Sequence, residues 1–258
     1  TAGQVVKAIS SLAGPHIVLI AVNVFGHGDT RLWYYCFPIL GAITLISGIW
    51  LMLTPIAREE KTAEVDGGAQ LKDTFMLLAD KRILLLFLGI FFVVGVDVST
   101  NFISSKIMSM RFDWSKEEAG SAPQVYFFCR TIGAFIGTFL MTRISEMKYF
   151  KANIIFCIVV LLLLASVEHP ALNMACIGAV GFLCSCIFPI IFSKAVQIRP
   201  DKTNQISGLV ITAVSGGAAV PPAIGFAIDT AGIAGGTAVI LACVLYLTFC
   251  AFAVKADK

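Results

Sequence analysis

The chain has 258 residues, of which 58% are hydrophobic and 14% are charged, and its formal net charge is +3. The mean hydropathy of +0.88 excludes an ordinary soluble globular protein and predicts a membrane protein. The small positive charge does not indicate nucleic-acid binding, because most basic residues lie in short loops between apolar segments, where they set the orientation of the protein in the membrane.

Eight apolar stretches follow one another along the chain. Most of them reach the ~20 residues that a helix needs to cross ~30 Å of hydrocarbon, so we predict an all-α membrane protein with eight transmembrane helices. The fifth stretch is short and must include flanking residues to span the bilayer. In chain order the stretches are 5–25, 32–56, 83–108, 120–141, 152–167, 171–198, 207–228 and 233–254.

The loops between these stretches are basic at every second turn only. Because cationic loops stay on the cytoplasmic side of a membrane, we expect a multi-pass protein of the cell (inner) membrane with its C-terminus and the 57–82 loop in the cytoplasm. Twelve of the 19 Lys and Arg residues lie on this side: Arg58, Lys61, Lys72, Lys81, Arg82, Arg143, Lys148, Lys151, Arg199, Lys202, Lys255 and Lys258.

One change in composition divides the chain. Residues 57–80 carry charges and few large apolar side chains, which is typical of a cytoplasmic linker. Six helices behind a charged linker is the layout of one half of a transporter with two related halves. We therefore expect residues 1–56 to be the last two helices of an N-terminal bundle and residues 81–258 a C-terminal six-helix bundle, with four further helices before Thr1. Composition also fits a self-contained eight-helix protein.

Asp97 is the acidic residue that lies deep in an apolar stretch. A carboxylate at the bilayer centre costs about 2.5–3.5 kcal/mol on insertion scales, so such residues usually face a cavity or a partner. Asn101, Ser104 and Ser105 follow at helical spacing and extend a polar stripe along one face of the helix. The stripe predicts a helix that lines an aqueous pathway, with Asp97 binding substrate or a proton. A polar seam between packed helices is the alternative.

Arg130 lies at the same expected depth as Asp97. At ~1.5 Å per residue, both side chains fall roughly 16 Å below the surface at which the third and fourth stretches meet. Consecutive helices are often neighbours, so we expect Asp97 and Arg130 to be electrostatically coupled. Gln124 on the fourth stretch is a further polar candidate for the same cavity.

The motifs of several other protein classes are missing from the sequence. No P-loop, His-Glu-x-x-His motif or nucleophile elbow is present, so we expect neither an enzyme nor a protein that hydrolyses nucleotides. The eight cysteines lie within apolar stretches, which favours buried apolar side chains over disulfides. We expect no metal site and no cofactor, and uphill transport would then depend on an ion gradient.

The sequence resembles the fucose permease-like branch of the major facilitator superfamily over nearly its whole length. The resemblance implies helices five to twelve of that fold, a partial major facilitator fold in which Asp97 lies on the seventh helix. The passages that carry it are Lys7 to Pro15, Gly95-Val-Asp-Val-Ser99, Ile132-Gly-Ala-Phe-Ile-Gly-Thr138, Phe188-Pro-Ile-Ile-Phe-Ser193, and Ser207-Gly-Leu through Gly225-Phe-Ala-Ile-Asp229.

The resemblance implies proton-coupled uptake of a monosaccharide by alternating access between two bundles. Members of this branch often have an acidic residue at the position of Asp97, which is therefore also the proton-coupling candidate. Where the family often has Arg, this chain has Ala134, and Arg130 lies one turn earlier. The family's main proton-carrying carboxylates lie in its first four helices, so this chain would hold only part of the binding site.

We therefore predict a secondary active transporter whose partners are a sugar, protons and the lipid bilayer, with no nucleic acid, and which is monomeric at full length. The membrane-transporter prediction comes from the residues, whereas the sugar comes mainly from the resemblance. A transporter of another small polar solute and a non-transporting membrane subunit or receptor remain alternatives. The candidate substrate-binding residues are Asp97, Asn101, Gln124 and Arg130, with Tyr126 and Phe192 as aromatic candidates.

Overall fold

A computed structural model describes residues 2–27, 29–55 and 67–254 of the chain. In these residues the secondary structure is helical, with no strand, as the sequence predicts for an all-α protein. The chain divides into two compact units, a smaller one of Ile9–Gly67 and a larger one of Gly68–Lys258 together with Thr1–Ala8.

The first two long helices are α1 (Ala2–Val24) and α2 (Cys36–Leu53), with a 3-10 turn at Thr30–Tyr35 before α2. The turn begins where the Asp29 side chain accepts a hydrogen bond from the backbone N–H of Arg31 at 2.9 Å. Large apolar side chains project outward along α2, and Met52 is 88% exposed. An exposed helix that is apolar on all sides is typical of a segment surrounded by lipid.

Nine further α-helices follow within the described residues and, apart from Gly67, lie in the larger unit; they are numbered here in chain order. They are α3 (Gly67–Met76), α4 (Lys81–Phe112), α5 (Lys116–Ala119), α6 (Ser121–Leu140), α7 (Glu146–Ser166), α8 (Pro170–Cys184), α9 (Ile187–Ile198), α10 (Thr203–Thr212) and α11 (Gly216–Ala253). Of the linker expected at 57–80, residues 57–66 lie outside the described residues and residues 67–79 are helical. α7 begins six residues before the short apolar stretch predicted there and so reaches 21 residues.

Two helices are interrupted near the middle of the unit. The interruption between α8 and α9 lies at Ser185–Cys186, before the proline of this region, Pro189. Pro189 lies in the first turn of α9, where its missing N–H leaves no helical hydrogen bond unmade. The second interruption is a 3-10 turn, Ala213–Ser215, between α10 and α11.

Helix α11 changes direction inside its printed range. The backbone leaves the helical conformation at Ala231 and Gly232, and Gly232 has φ 65°, a conformation that glycine adopts without a Cβ clash. The turn divides α11 into two apolar helices, 216–230 and 233–253. The second helix matches the eighth apolar stretch of the sequence. The seventh stretch is divided between the first helix and α10.

Helices α4 and α11 approach each other closely enough for backbone contact. A Cβ added at Gly216 would lie 1.9 Å from the carbonyl oxygen of Phe91, and one added at Gly95 would lie 2.4 Å from the Val220 side chain. Small residues at a helix crossing allow this approach, which is how helices pack in membranes where lipid is as apolar as the side chains. The two glycines therefore fix the distance between α4 and α11.

Polar contacts fix the end of α4 near Phe112. The Arg111 guanidinium donates to the carbonyl oxygen of Leu164 at 2.7 Å and to Asn173 Oδ1 at 3.0 Å. It thereby caps the last turn of α7, whose terminal carbonyls have no helical partner. Shortly after α4, Ser115 and Glu118 form a capping box that starts α5, and the hydrogen bonds from Ser115 hold the pKa of the Glu118 carboxyl below its ordinary value.

Five segments of the described residues are long and apolar enough to cross a bilayer. The last of them has 54 residues, about 80 Å as a helix, and its turn at Ala231–Gly232 allows two crossings. α6 is not among the five because its 20 residues include Gln124 and Arg130. The total of eight crossings therefore stays a prediction, while the multi-pass architecture is clear. The five are Arg31–Leu53, Lys81–Phe112, Glu146–Ser166, Pro170–Ile198 and Pro200–Ala253.

Candidate functional site

The candidate site begins with Asp97, the 17th of the 32 residues of α4. The helix begins at the N-cap Asp80, whose side chain accepts a hydrogen bond from the backbone N–H of Arg82 at 2.9 Å. Apolar residues on both sides of Asp97 keep the helix continuous through the centre of the unit. Asp97 thus lies midway along a helix that is long enough to span the bilayer.

Two side chains of α6 meet the Asp97 carboxylate. Tyr126 and Arg130 are four residues apart and share one face of α6. The Tyr126 hydroxyl donates to Asp97 Oδ1 at 2.5 Å, and the Arg130 guanidinium forms an ion pair with the same oxygen. Arg130 Nη1 also lies 3.4 Å from the Tyr126 hydroxyl oxygen. The structure therefore brings together three of the six residues predicted for the site, and we call them the Asp97 cluster.

The Asp97 cluster is almost fully enclosed by protein. Tyr126 is completely buried and Arg130 is 6% exposed, while the Asp97 side chain keeps 15% of its surface exposed. A single charge in such surroundings is very unfavourable, and pairing with hydrogen bonding offsets that cost. The Asp97 side chain is therefore the most accessible member of the cluster.

Close packing around the interruption between α8 and α9 holds α6 in place. A Cβ at Gly181 would lie 2.6 Å from the carbonyl oxygen of Tyr126, and one at Gly133 would lie 2.5 Å from the carbonyl oxygen of Phe182. The Ser185 hydroxyl donates to the Phe182 carbonyl at 2.8 Å. The glycines bring α8 against α6 beside the cluster, so the interruption lies next to Arg130 and Tyr126 in the packed unit.

The other three predicted residues lie outside these contacts. Asn101 is half-buried on α4, and its backbone carbonyl accepts a hydrogen bond from the Ser104 hydroxyl at 2.6 Å. Gln124 is exposed on α6. Phe192 is half-buried on α9 and stacks on Phe188 with ring centroids 6.2 Å apart. Within the described residues, no hydrogen bond or ion pair joins these three side chains to the Asp97 cluster.

Sequence reasoning assigned Tyr126 only an aromatic role and missed two other polar contacts of α4. The signal for Tyr126 was its position four residues before Arg130, which places both side chains on one helix face. Lys106 Nζ lies 4.0 Å from Asp229 Oδ1 of α11. Arg111 donates hydrogen bonds to the Leu164 carbonyl and to Asn173 Oδ1. Neither contact has a sequence signal, since each partner is more than fifty residues away.

The described residues hold no group of three His, Cys, Asp or Glu side chains that could bind a metal ion. The functional groups of the Asp97 cluster are a carboxylate, a guanidinium and a phenol. These groups can hydrogen-bond the hydroxyls of a polar solute, because the carboxylate accepts while the guanidinium and phenol donate.

Comparisons with known proteins place this architecture among transporters. The family model of the Major Facilitator Superfamily matches residues 4–222. Two solved structures of the transporter FucP, one described as in the outward conformation and one as the E. coli fucose:proton symporter, each match with a TM-score of 0.71 at 20% identity. The match to the outward structure covers 91% of this chain and 58% of that one.

Curated relatives give similar results over shorter ranges. A putative glucose/galactose transporter of Helicobacter pylori (strain ATCC 700392 / 26695) is 32% identical over 155 residues, which cover 59% of this chain and 37% of the relative. A glucose/galactose transporter of Brucella abortus biovar 1 (strain 9-941) is 32% identical over 165 residues, which cover 63% of this chain and 40% of the relative. The chain therefore spans less than half the length of these relatives. All of these proteins are transporters and not enzymes.

Proposed function

Because the chain belongs to the Major Facilitator Superfamily, we propose that it is part of a secondary active transporter that takes up a monosaccharide together with protons by alternating access. The observation that carries the proposal is the Asp97 cluster, a carboxylate, a guanidinium and a phenol enclosed midway along two membrane helices. Ionisable residues at that depth mark substrate or proton pathways. The names of the Helicobacter, Brucella and FucP relatives support a sugar as the solute and a proton as the coupled ion.

In the proposed mechanism, Asp97 carries the coupling proton within this chain. While Asp97 is ionised, it neutralises Arg130 and the cluster is closed on itself. Protonation of Asp97 removes the negative partner, so Arg130 becomes free to donate hydrogen bonds to sugar hydroxyls. Deprotonation restores the ion pair and displaces the sugar. Proton and sugar binding are thereby linked through one buried pair, as reciprocal coupling between two ligands requires.

The remaining predicted residues have supporting roles in this proposal. Asn101 lies one helical turn beyond Asp97, where its amide can bind a further hydroxyl. Gln124 is exposed on α6 and can line the path by which a sugar reaches the cluster. Phe192 offers an aromatic face for the apolar side of the sugar ring.

We assign residues 1–56 to the end of an N-terminal bundle, 57–80 to the linker and 81–258 to the C-terminal bundle.

The basic loops support the proposed orientation. Arg143 lies in the short connection between α6 and α7, Lys148 lies in the first turn of α7, and Lys202 follows α9. All three lie at the end of the larger unit where α4 begins and α11 ends. Cationic loops remain cytoplasmic, so this end is assigned to the cytoplasm of an inner membrane, which places the Phe112 end of α4 on the outer side.

The test is uptake of labelled glucose, galactose and fucose into proteoliposomes that contain the protein encoded by the complete gene, with and without an inward proton gradient. We expect the gradient to raise accumulation of at least one of these sugars. Asp97→Asn should abolish the effect of the gradient, because the amide cannot exchange a proton. Asp229→Asn is the matched control, since this carboxylate is 77% exposed and has no coupling role here.

Two results would contradict the proposal. Uptake that does not respond to the gradient in the wild-type protein would remove proton coupling. Absence of uptake of all three sugars by folded protein would remove the sugar, and a screen of nucleosides and organic anions would then separate a transporter of another solute from a membrane protein that does not transport.

A further inference from the structure

Tyr126 belongs to the Asp97 cluster, although the proposed coupling step between Asp97 and Arg130 does not use it. The residue is completely buried, so its ring cannot stack on a sugar in this conformation, as an aromatic substrate-binding residue would. Its hydroxyl nevertheless reaches both charged groups. It donates to Asp97 Oδ1 at 2.5 Å, and its oxygen lies 3.4 Å from Arg130 Nη1. The phenol therefore bridges the two members of the ion pair.

Close packing against α8 holds the ring of Tyr126 in place. A Cβ added at Gly181 would lie 3.1 Å from Cδ2 and 3.3 Å from Cε2 of this ring. The ring of Phe127 meets it edge-on, with the two centroids 5.6 Å apart. Because the ring cannot move without displacing closely packed neighbours, the hydroxyl keeps its position when the charge of Asp97 changes.

The two oxygens of the Asp97 carboxylate have different surroundings. The Tyr126 hydroxyl and the Arg130 guanidinium both contact Oδ1, and no group within the described residues donates a hydrogen bond to Oδ2. A carboxylate oxygen has two lone pairs, so these two donors occupy the lone pairs of Oδ1. Oδ2 is therefore the oxygen to which a proton can add without displacing a donor.

The titratable groups that hydrogen-bond or pair with Asp97, in the part of the chain that the structure describes, are Tyr126 and Arg130. Other helices packed against α4 also carry titratable side chains, which contact other groups instead. Among them are Cys184 of α8, Lys194 of α9, and Asp229 and Tyr246 of α11, which contact Cys157, Gln197, Lys106 and the Leu85 carbonyl, respectively. Proton exchange at Asp97 is therefore governed by two side chains of α6.

We propose that Tyr126 positions Asp97 for proton exchange, by holding Oδ1 so that the coupling proton binds and leaves at Oδ2. When the proton forms its bond to Oδ2, Arg130 can leave, while the Tyr126 hydroxyl continues to donate to Oδ1, now the carbonyl oxygen of a neutral acid. Asp97 stays in place, so the guanidinium meets the same oxygen again when the O–H bond breaks. This role rests on the proposed proton coupling at Asp97.

Infrared difference spectroscopy tests the hydrogen bond directly, without sugar. The protein encoded by the complete gene is titrated with acid in proteoliposomes, and the carbonyl band of protonated Asp97 is identified by its loss in Asp97→Asn. Tyr126→Phe removes only the hydroxyl and keeps the ring against Gly181. The band should then move to higher frequency, because the carbonyl oxygen Oδ1 loses its phenolic donor. An unshifted band would overturn the proposal, since the carbonyl would then be the oxygen that Tyr126 does not contact.

The pH dependence of sugar binding separates a positioning role from a packing role. In the wild-type protein, binding of labelled sugar should weaken at high pH, as Asp97 loses its proton. Tyr126→Phe should raise the pH of half-maximal binding by about one unit, because a hydroxyl donates a stronger hydrogen bond to a carboxylate than to a neutral acid. Binding at low pH should stay close to wild type. Weaker binding at every pH with an unchanged midpoint would reduce Tyr126 to a packing residue and overturn the proposal.

Tyr149→Phe is the matched control. The Tyr149 hydroxyl is also buried in the larger unit, but it forms no hydrogen bond within the described residues. Its removal should therefore leave the carboxyl band and the midpoint unchanged. Equal changes in Tyr126→Phe and Tyr149→Phe would overturn the specific role of Tyr126.

A second replacement covers the case in which Tyr126→Phe fails to fold. Site-specific 3-fluorotyrosine at position 126 keeps the hydroxyl and makes it a more acidic, stronger donor, so the midpoint of sugar binding should fall, opposite to the effect of phenylalanine. A midpoint that rises or stays unchanged would overturn the proposal.

Gradient-driven uptake by the wild-type protein tests the proposed function separately. Uptake that ignores the gradient would overturn proton coupling and, with it, the role of Tyr126 in coupling. A wild-type protein that responds to the gradient, combined with an unshifted carboxyl band in Tyr126→Phe, would overturn the role of Tyr126 alone.

Discussion

Helix α4 carries two ion pairs on opposite sides. Both join an acidic to a basic side chain, but one pair is buried and the other is exposed. Asp97 pairs with Arg130 of α6 inside the unit, where their side chains are 15% and 7% exposed. Lys106 pairs with Asp229 of α11 at 4.0 Å, where the two side chains are 39% and 77% exposed. The step of nine residues from Asp97 to Lys106 is about two and a half helical turns, so the two side chains lie on opposite sides of α4 and face different neighbours.

The difference shows how surroundings decide what an ion pair does. Water screens the exposed pair and can replace either partner, so the pair has little influence on stability. Protein surrounds the buried pair, so neither charge can be removed without leaving the other in an apolar medium. Only the buried pair therefore makes protonation of one residue change the behaviour of its partner. Four measurements sharpen or break this contrast.

The largest expected effect is on the buried pair. Arg130→Gln should lower the free energy of unfolding by about 3–5 kcal/mol, because Asp97 is left as an unpaired buried charge. Asp97→Asn should act similarly. The double variant should lose clearly less than the sum of the two single losses, by about 0.5–3 kcal/mol. Denaturant unfolding in detergent micelles measures all three, and additive losses would show that the two groups are independent.

The next effect concerns Arg111, a cation whose partners are mostly carbonyl oxygens. Arg111→Gln should lower the free energy of unfolding by about 1.5–3 kcal/mol, because the hydrogen bonds to the end of α7 involve a charged donor. Hydrogen exchange should then rise selectively in the last turn of α7, near Leu164. Exchange that rises uniformly over the unit, or does not change, would contradict this local role.

A comparable loss is expected from a single methyl group at the contact of α4 with α11. Gly216→Ala places a Cβ against the Phe91 carbonyl, and the helices must separate, at a cost of about 1–3 kcal/mol for overpacking. Gly225→Ala is the control on the same helix, since nothing lies within 4 Å of its added Cβ. Thermal unfolding should show a lower free energy of unfolding for Gly216→Ala. For Gly225→Ala this free energy should stay the same or rise by up to about 1 kcal/mol.

The smallest effect is expected for the exposed pair. Lys106→Gln and Asp229→Asn should each change the free energy of unfolding by less than about 1 kcal/mol. Raising the salt concentration should reduce even this change, because exposed charges are screened over roughly 8 Å at physiological ionic strength. A loss as large as that of Arg130→Gln would erase the distinction between the two pairs.

Much of the architecture could be predicted because it follows from local properties of the chain. The helices coincide with apolar runs, since every backbone polar group in a bilayer must be paired within its own segment. The interruption near Ser215 and the turn near Gly232 were marked by small residues. The interruption at Ser185–Cys186 has no local signal in the sequence. The nearby Pro189 does not mark it, because proline in the first turn of a helix removes no helical hydrogen bond.

The candidate site was predictable only in part. Depth along two successive helices was enough to expect that Asp97 and Arg130 would interact. The rotation of each helix about its axis depends on packing, and the sequence alone leaves it open. That rotation brings Tyr126 to the Asp97 carboxylate and directs Gln124 outward.

The apolar runs and the alternation of basic loops determined that the chain crosses a membrane many times, since each segment responds to lipid and water by itself. Which side chains meet was decided by tertiary structure alone, as in the contact of Gly216 with Phe91 and the pairing of Arg111 with the end of α7. Such contacts join residues that are more than fifty positions apart, and their geometry depends on how whole helices pack against one another.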